Sequence, residues 1–127
     1  MIRPARTEDA DRIHRLIASE LGGRSSKDST WLVDRTLSDT GIVLVDVDKD
    51  RIIGAIVGHV VTDEAEIHDV VIHQNSRRLG RGQNLVRDFE RCAKAMGAER
   101  IFLEVRSDNH PAIRLYTKQH YTRTGYR

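Results

Sequence analysis

Apolar residues recur at the spacing of a helix in several stretches of the chain. The first stretch covers residues 13–21, and Thr7 before it is a suitable helix cap. A second helix is predicted over about residues 30–38, with Trp31 and Leu32 as its anchors. A third helix is predicted over residues 83–96, ending at Gly97. Its apolar face consists of Leu85, Val86, Phe89, Cys92, Ala93 and Met96.

Between these helices the apolar pattern is continuous or alternating, as in strands. Residues 41–47 and 51–62 are rich in β-branched side chains, and the polar residues 48–50 between them predict a hairpin. Residues 1–5 and 66–72 predict two further strands, and residues 100–105 are apolar on both faces, which is typical of a central strand. Asn109 and Pro111 predict the start of a last helix, and another strand is predicted from Tyr121. This order of elements predicts a mixed α/β fold in one domain over residues 1–127.

One glycine-containing loop stands directly between a predicted strand and a predicted helix. Residues 77–82 read Arg-Arg-Leu-Gly-Arg-Gly, and Gly80 and Gly82 let the backbone turn tightly and approach a ligand closely. The N–H groups of a helix start and three nearby arginines suit phosphate oxygens, although a surface loop with solvated arginines is the alternative. A dinucleotide fingerprint would need glycine where Leu85 stands, and the chain has no Gly-Lys-Ser/Thr triplet of a P-loop. The loop therefore predicts a phosphate-bearing cofactor of another kind.

Composition narrows the class of protein. The 127 residues include 21 basic and 19 acidic side chains, so neither nucleic-acid nor membrane binding is predicted from charge. The longest apolar stretch, residues 52–61, is too short to span a bilayer. The single cysteine, Cys92, allows no internal disulfide, fits a cytoplasmic location and is expected to pack rather than act as a nucleophile. His68 and His73 are expected on opposite faces of a strand, so no metal site is predicted.

Two motifs together resemble the GNAT family of acetyl-CoA-dependent N-acetyltransferases. The first is Arg-x-x-Gly-x-Gly at residues 77–82, which resembles the family's pyrophosphate-binding loop. The second is Leu-Glu-Val-Arg at residues 103–106, followed by Asn109 and by Ala-Ile-Arg-Leu-Tyr at residues 112–116. With Asp-Glu-Ala at residues 63–65, the pattern is most similar to the RimI-type branch, the protein N-terminal alanine acetyltransferases. The resemblance implies acetyl-CoA as co-substrate and the N-terminus of a peptide or protein, such as a ribosomal protein, as acceptor.

The same resemblance implies which residues would bind acetyl-CoA. The loop would hold the pyrophosphate, the backbone of residues 70–72 would hold the acetyl-pantetheine arm, and Asn109 would contact the cofactor while also capping a helix. The side chains of residues 70–72 have core packing as their alternative role. The predicted cofactor-binding residues are Val70, Val71, Ile72, Arg77, Arg78, Leu79, Gly80, Arg81, Gly82, Gln83 and Asn109.

Glu104 and Tyr116 stand at the motif positions of the family's proton acceptor and proton donor. Glu104 lies at the carboxyl end of a predicted strand, where open α/β sheets place ligands, and would take a proton from the attacking amine. Its alternative role is an ion pair with Arg106 on the same strand face. Tyr116 would protonate the leaving coenzyme A thiolate, and its alternative role is core packing beside Ile113.

The chain departs from the family pattern after Tyr116. His120 stands where the family has the glycine that ends the last helix, so a different helix end is expected. Relatives have a further strand after the one that begins at Tyr121. Without it, we expect a C-terminally truncated or naturally short domain whose open sheet edge favours a homodimer. The alternative functions are acetylation of a small amine or a lysine side chain, and an acetyl-CoA-binding module that is impaired in turnover.

Overall fold

The computed structural model describes residues 1–21, 29–77 and 79–103. Within these residues, five strands and three helices follow the order predicted from the sequence. The strands are β1 (Ile2–Pro4), β2 (Gly41–Asp48), β3 (Arg51–Val61), β4 (Glu64–Ile72) and β5 (Arg100–Leu103). The helices are α1 (Ala10–Leu21), α2 (Thr30–Leu37) and α3 (Arg81–Ala95), with 3-10 turns at Thr7–Asp9 and Gln74–Ser76. The helix and strand predicted after Leu103 lie outside the described residues.

All five strands belong to one mixed sheet in the order β1-β2-β3-β4-β5. The first four strands pair antiparallel, and β5 pairs parallel to β4. A parallel pair needs a crossover connection, and α3 supplies it between β4 and β5. The mixed sheet confirms the predicted α/β class. The sequence also predicts that β5 is a central strand, with neighbours on both sides. One neighbour is β4, and the other would come from residues after Leu103, which lie outside the described part of the chain.

The β2–β3 hairpin closes as the sequence predicts. Its connection is Lys49 and Asp50, which have φ angles of 51° and 64°. Positive φ at both central residues is the mark of the tight turn whose twist matches the twist of paired strands. Gly97, with φ of 99°, ends the region of α3 as predicted.

The two faces of the sheet are covered by different helices. We call them the α3 face and the α1/α2 face. The buried cluster on the α3 face consists of Ile42, Leu44, Ile56, Val60, Ala65, Ile67, Leu85, Val86, Phe89 and Ala93. The buried cluster on the α1/α2 face consists of Ala10, Ile13, Leu16, Ile17, Leu32, Val43, Val45, Ala55, Val57 and Val71. Alternate residues of β2 and β3 enter opposite clusters, as the period of a strand requires.

A β-bulge in β4 changes which residues face which cluster. Val57 pairs with Asp69, but the next residue of β3, Gly58, pairs with Ile67, so His68 is the extra residue. Before the bulge, Ala65 and Ile67 point to the α3 face. The α3 helix packs closely at this point, because a Cβ added to Gly58 would lie 2.6 Å from the Phe89 ring.

The start of α1 differs from the prediction, which made Thr7 the cap. Thr7 lies inside the first 3-10 turn, and the residue at the cap position is Arg6. The Arg6 N–H donates to Asp9 Oδ2 at 2.8 Å, so a carboxylate inside the turn satisfies it. Asp9 is only 2% exposed and also accepts from Arg3 Nη1 at 2.8 Å and Nη2 at 3.2 Å. A buried ion pair, not a threonine cap, therefore holds this helix start.

Candidate active site

The predicted cofactor loop joins the end of β4 to the start of α3, as expected. Gly80 has φ of 75°, a left-handed conformation that favours glycine, and α3 begins at the next residue. The first helical hydrogen bond runs from the Asn84 N–H to Gly80 O at 3.1 Å. The N–H groups of residues 81–83 therefore precede the helical ladder, at the positive end of the helix dipole.

Among the described residues, no atom fills the space beside Gly80. A Cβ added at Gly80 would meet no atom within 4 Å. Leu79 beside it is 67% exposed, so its side chain does not fill the space. Open backbone at a helix N-terminus is the geometry that binds a phosphate group. The described residues of the loop thus fit a pyrophosphate-bearing cofactor.

Two arginines of the loop are engaged by carboxylates of the protein itself. Arg77 donates from Nη2 to Glu20 Oε1 at 2.6 Å and from Nε to Ile72 O at 3.2 Å. The Glu20 side chain is only 9% exposed, which strengthens this pair across the end of α1. Arg77 therefore links the end of β4 to the end of α1, and the carboxylate of Glu20 balances most of its positive charge. Arg78 lies outside the described residues.

Arg81 is held in the same way on the other side of the loop. Its Nη1 donates to Asp46 Oδ2 at 3.2 Å, and its Nη2 lies 3.9 Å from Asp48 Oδ2. The other oxygen of Asp46 accepts from the Met1 ammonium group at 3.0 Å. Two of the three guanidinium nitrogens of Arg81 are therefore directed at carboxylates of β2, and its buried Nε has no hydrogen-bond partner among the described residues. The sequence reasoning did not find Asp46 or Glu20, although one aspartate within the apolar run of β2 was a signal.

The β4 residues assigned to the pantetheine arm have core side chains. Val71 is 3% exposed in the α1/α2 cluster, while Val70 and Ile72 are partly buried against the α3 cluster. Their backbone pairs with β3 on one side. On the other side, the pairs that the described residues make with β5 run only from Glu64 to Ile67. A ligand along Val70–Ile72 would thus bind main-chain groups rather than side chains.

Three predicted residues with roles in chemistry or cofactor contact fall outside the described part of the chain. They are Glu104, Asn109 and Tyr116. Cys92, which the sequence placed in the core, is partly buried against the α3 cluster. Burial, and then the charge of Asp88, raise the pKa of its thiol, which disfavours the nucleophilic thiolate.

A histidine pair that sequence reasoning missed lies at the bulge. His59 Nδ1 and His68 Nε2 are 2.5 Å apart, and the ring centroids lie 4.6 Å apart with an interplanar angle of 25°. Glu66 Oε1 lies 3.7 Å from His68 Nδ1. The sequence analysis considered His68 together with His73, which is near it along the chain. The β3–β4 hairpin instead brings His68 beside His59. Within residues 1–21, 29–77 and 79–103, three metal-ligating side chains do not converge anywhere.

Comparison with known proteins agrees with the motifs. The sequence model of the Acetyltransferase (GNAT) family matches residues 10–121. A putative ribosomal protein bS18 alanine N-acetyltransferase of Bacillus subtilis (strain 168) is 31% identical over 118 residues, covering 92% of this chain and 77% of that protein.

Solved structures share the fold. The ribosomal-protein-S18-alanine N-acetyltransferase of Escherichia coli superposes with a TM-score of 0.87 at 18% identity, covering 98% of this chain and 79% of that one. The aminoglycoside acetyltransferase meta-AAC0020, from an uncultured soil metagenomic sample and crystallised with sisomicin, has a TM-score of 0.86 at 19% identity, covering 100% and 91%. No helix in the described part of the chain is long and apolar enough to cross a membrane. The chain belongs to the GNAT family and is an acetyl-CoA-dependent acyltransferase.

Proposed function

We propose that the protein transfers the acetyl group of acetyl-CoA to the N-terminal α-amine of a protein, with a ribosomal protein as the acceptor. The observation that carries the acceptor is the 31% identity to a putative ribosomal protein alanine N-acetyltransferase over 92% of the chain. The open backbone at Gly80 and the start of α3 support the cofactor half of the proposal. A bacterial ribosomal acceptor and a single cysteine fit action in the cytoplasm.

The reaction proceeds by direct attack in a ternary complex. The neutral amine attacks the thioester carbon, a C–N bond forms, the C–S bond breaks and the coenzyme A thiolate leaves. Glu104 takes the proton that the amine loses, and Tyr116 gives a proton to the thiolate. The raised thiol pKa and partial burial of Cys92 argue against an acetyl-cysteine intermediate.

The acceptor is tested with a panel of amines. Peptides that begin with alanine, the same peptides with a blocked α-amine and a free lysine, and a small polyamine are incubated with acetyl-CoA. Thiol release and the mass of the product are then measured. We expect transfer to the free α-amine. Transfer only to lysine or to the polyamine would identify another acceptor, and binding of acetyl-CoA without transfer to any amine would identify a binding module.

The cofactor loop is tested at Gly82. Gly82→Val places a branched side chain at the start of α3, so we expect acetyl-CoA binding to weaken at least about tenfold in calorimetry. Lys94→Val, at an exposed position in the last turn of the same helix, is the matched control because it introduces the same side chain away from the loop. Unchanged affinity in Gly82→Val would remove the loop from the cofactor site.

The two proposed proton-transfer groups are tested by removing their acidity or basicity. Glu104→Gln and Tyr116→Phe should each lower kcat about a hundredfold while acetyl-CoA affinity changes little. The effects should respond to pH in opposite ways, since one group must be ionised and the other protonated. If Glu104→Gln lowers the melting temperature but leaves turnover intact, the ion pair with Arg106 is its role.

A further inference from the structure

The polar end of the α1/α2 face contains four ionisable side chains where the strand pattern would accommodate apolar ones. One of them, Asp69, pairs with Val57 of the α1/α2 cluster. His59 follows Val57 on the same face of β3, and His68 and Glu66 come from β4. The side chains of His68 and Glu66 are 29% and 41% exposed. Strand pairing places Glu66 opposite both His59 and Phe102, and Phe102 is 45% exposed. This is therefore an open polar patch on an otherwise packed sheet face.

The separation of the two imidazoles fits a shared proton and not a shared metal ion. Zinc binds histidine nitrogen at about 2.0–2.1 Å, so two nitrogens on one tetrahedral zinc ion lie about 3.3 Å apart. His59 Nδ1 and His68 Nε2 are 2.5 Å apart, which is too close for two ligands of one zinc ion and corresponds to a short hydrogen bond. One of the two nitrogens therefore carries a hydrogen that points toward the other.

Glu66 favours one of the two His68 tautomers through an ion-pair contact. Its carboxylate lies 3.7 Å from His68 Nδ1 and favours a hydrogen on that atom. His68 Nε2 is then an acceptor, and the His59 Nδ1–H donates to it. This tautomer leaves a lone pair on His59 Nε2, because the hydrogen bond to His68 uses the other ring nitrogen. The chain of Glu66, His68 and His59 thus orients an imidazole base in the way a carboxylate orients a histidine in hydrolytic triads.

The pair also lies where the cofactor would end. Four residues of strand at about 3.3 Å each place His68 about 13 Å before Ile72, the residue that leads into the cofactor loop. A pantetheine arm that runs from the loop along Val70–Ile72 extends toward the bulge. The bulge residue is His68 itself, and the His59 ring lies beside it. The imidazole pair is thus at the thioester end of the arm, away from the pyrophosphate.

We propose that the His59–His68 pair, oriented by Glu66, is a second proton-accepting site that deprotonates the acceptor ammonium before attack. The proposal rests on the proposed acetyl transfer. In this step His59 Nε2 takes one proton from R–NH₃⁺, leaving neutral R–NH₂. The pair becomes a cation that Glu66 stabilises. The amine then attacks the thioester, and the proton on the pair passes to water after product release.

The test compares acceptors that need deprotonation with one that does not. His59→Ala should lower kcat/KM for an ammonium acceptor about a hundredfold, while acetyl-CoA affinity measured by calorimetry stays unchanged. Imidazole added to the buffer should restore part of the lost rate. Hydroxylamine, which is neutral at the assay pH, should be acetylated within about threefold of the unmodified rate. Glu66→Gln should lower the ammonium rate about tenfold. Glu99→Gln, at an exposed carboxylate outside the patch, is the control and should change nothing.

Each result decides the proposal. Near-normal ammonium acetylation by His59→Ala would overturn it and leave Glu104 as the sole base. An equal loss with hydroxylamine, without imidazole rescue, would reveal a structural role and overturn it as well. Failure of the proposed acetyl transfer looks different, because the unmodified protein would then raise thiol release with no amine, hydroxylamine included, above the rate measured without protein. The comparison uses whichever ammonium acceptor is best, so an error in the acceptor's identity does not affect it.

Discussion

The two faces of the sheet are built from the same strands, but only the α1/α2 face ends in a patch of polar side chains. On the α3 face, buried apolar residues continue along β3 and β4 to the edge of the helix, and Phe89 at their centre is fully buried. On the α1/α2 face, the apolar cluster stops after Val57 and Val71, and His59 and His68 follow. A polar patch at this position forgoes the stabilisation that apolar burial would supply. Under the proposed role of the histidine pair, the α3 face serves stability and the open end of the α1/α2 face serves chemistry.

The largest expected effect on stability comes from comparing the loss of one phenylalanine ring on each face of the sheet. Phe89→Ala removes a ring with no exposed surface and should lower the free energy of unfolding by about 4 kcal/mol. Phe102→Ala removes a ring that is 45% exposed and should cost about 1 kcal/mol. Urea denaturation of both variants measures the difference. Equal losses would mean that the polar end of the α1/α2 face is as well packed as the α3 face.

The second effect concerns Asp9, the buried charge at the start of α1. Asp9→Asn should cost about 3 kcal/mol near neutral pH, because it leaves the Arg3 guanidinium without its buried partner. Asp50→Asn, in the exposed β2–β3 turn, is the matched control and should stay within about 0.5 kcal/mol of the unmodified protein.

The pH dependence of the Asp9 effect has a definite sign. The hydrogen bond from Arg3 lowers the pKa of Asp9 against the opposing effect of burial, so the folded state binds this proton less tightly than the unfolded state. The stabilisation is therefore complete above the unfolded pKa of about 3.9 and disappears as pH falls through the lower folded pKa. The gap between unmodified protein and Asp9→Asn should shrink in that acidic range. A gap that widens in acid would contradict the assigned ion pair.

The features that could be predicted from the sequence are those that depend on residues close together along the chain. Helix and strand periods placed all eight described elements, and the glycine positions located the turn at Gly80 and the end of α3 at Gly97. The order of strand, loop and helix was enough to locate the cofactor loop. These features follow from local backbone preferences, which a single sequence contains.

The rest depends on residues that only folding brings together. Glu20 and Asp46 come from α1 and β2, yet they decide where the guanidinium groups of Arg77 and Arg81 point. The histidine pair needs both the β3–β4 hairpin and the extra residue in β4, and a one-residue bulge leaves little trace in an alternating pattern. The prediction of Thr7 as the cap of α1 was wrong for a similar reason. The side chain of Asp9, from within the turn, accepts the hydrogen bond at the helix start instead.

The smallest expected effect tests the proposal that the packed core of the α3 face takes no part in acetyl transfer. Cys92 is partly buried there, and burial followed by the charge of Asp88 raises the pKa of its thiol. Since only the thiolate reacts, iodoacetamide should alkylate Cys92 more slowly at neutral pH than it alkylates free cysteine, and the rate should rise with pH. Asp88→Asn removes the lesser of the two causes and should speed alkylation by less than about tenfold.

Cys92→Ala should keep full acetyl transfer and cost about 1 kcal/mol of stability, because it removes only one half-buried sulfur atom. Rapid alkylation together with a large loss of turnover in Cys92→Ala would place chemistry on the α3 face, and the division of the sheet into a packed face and a reactive face would then be wrong.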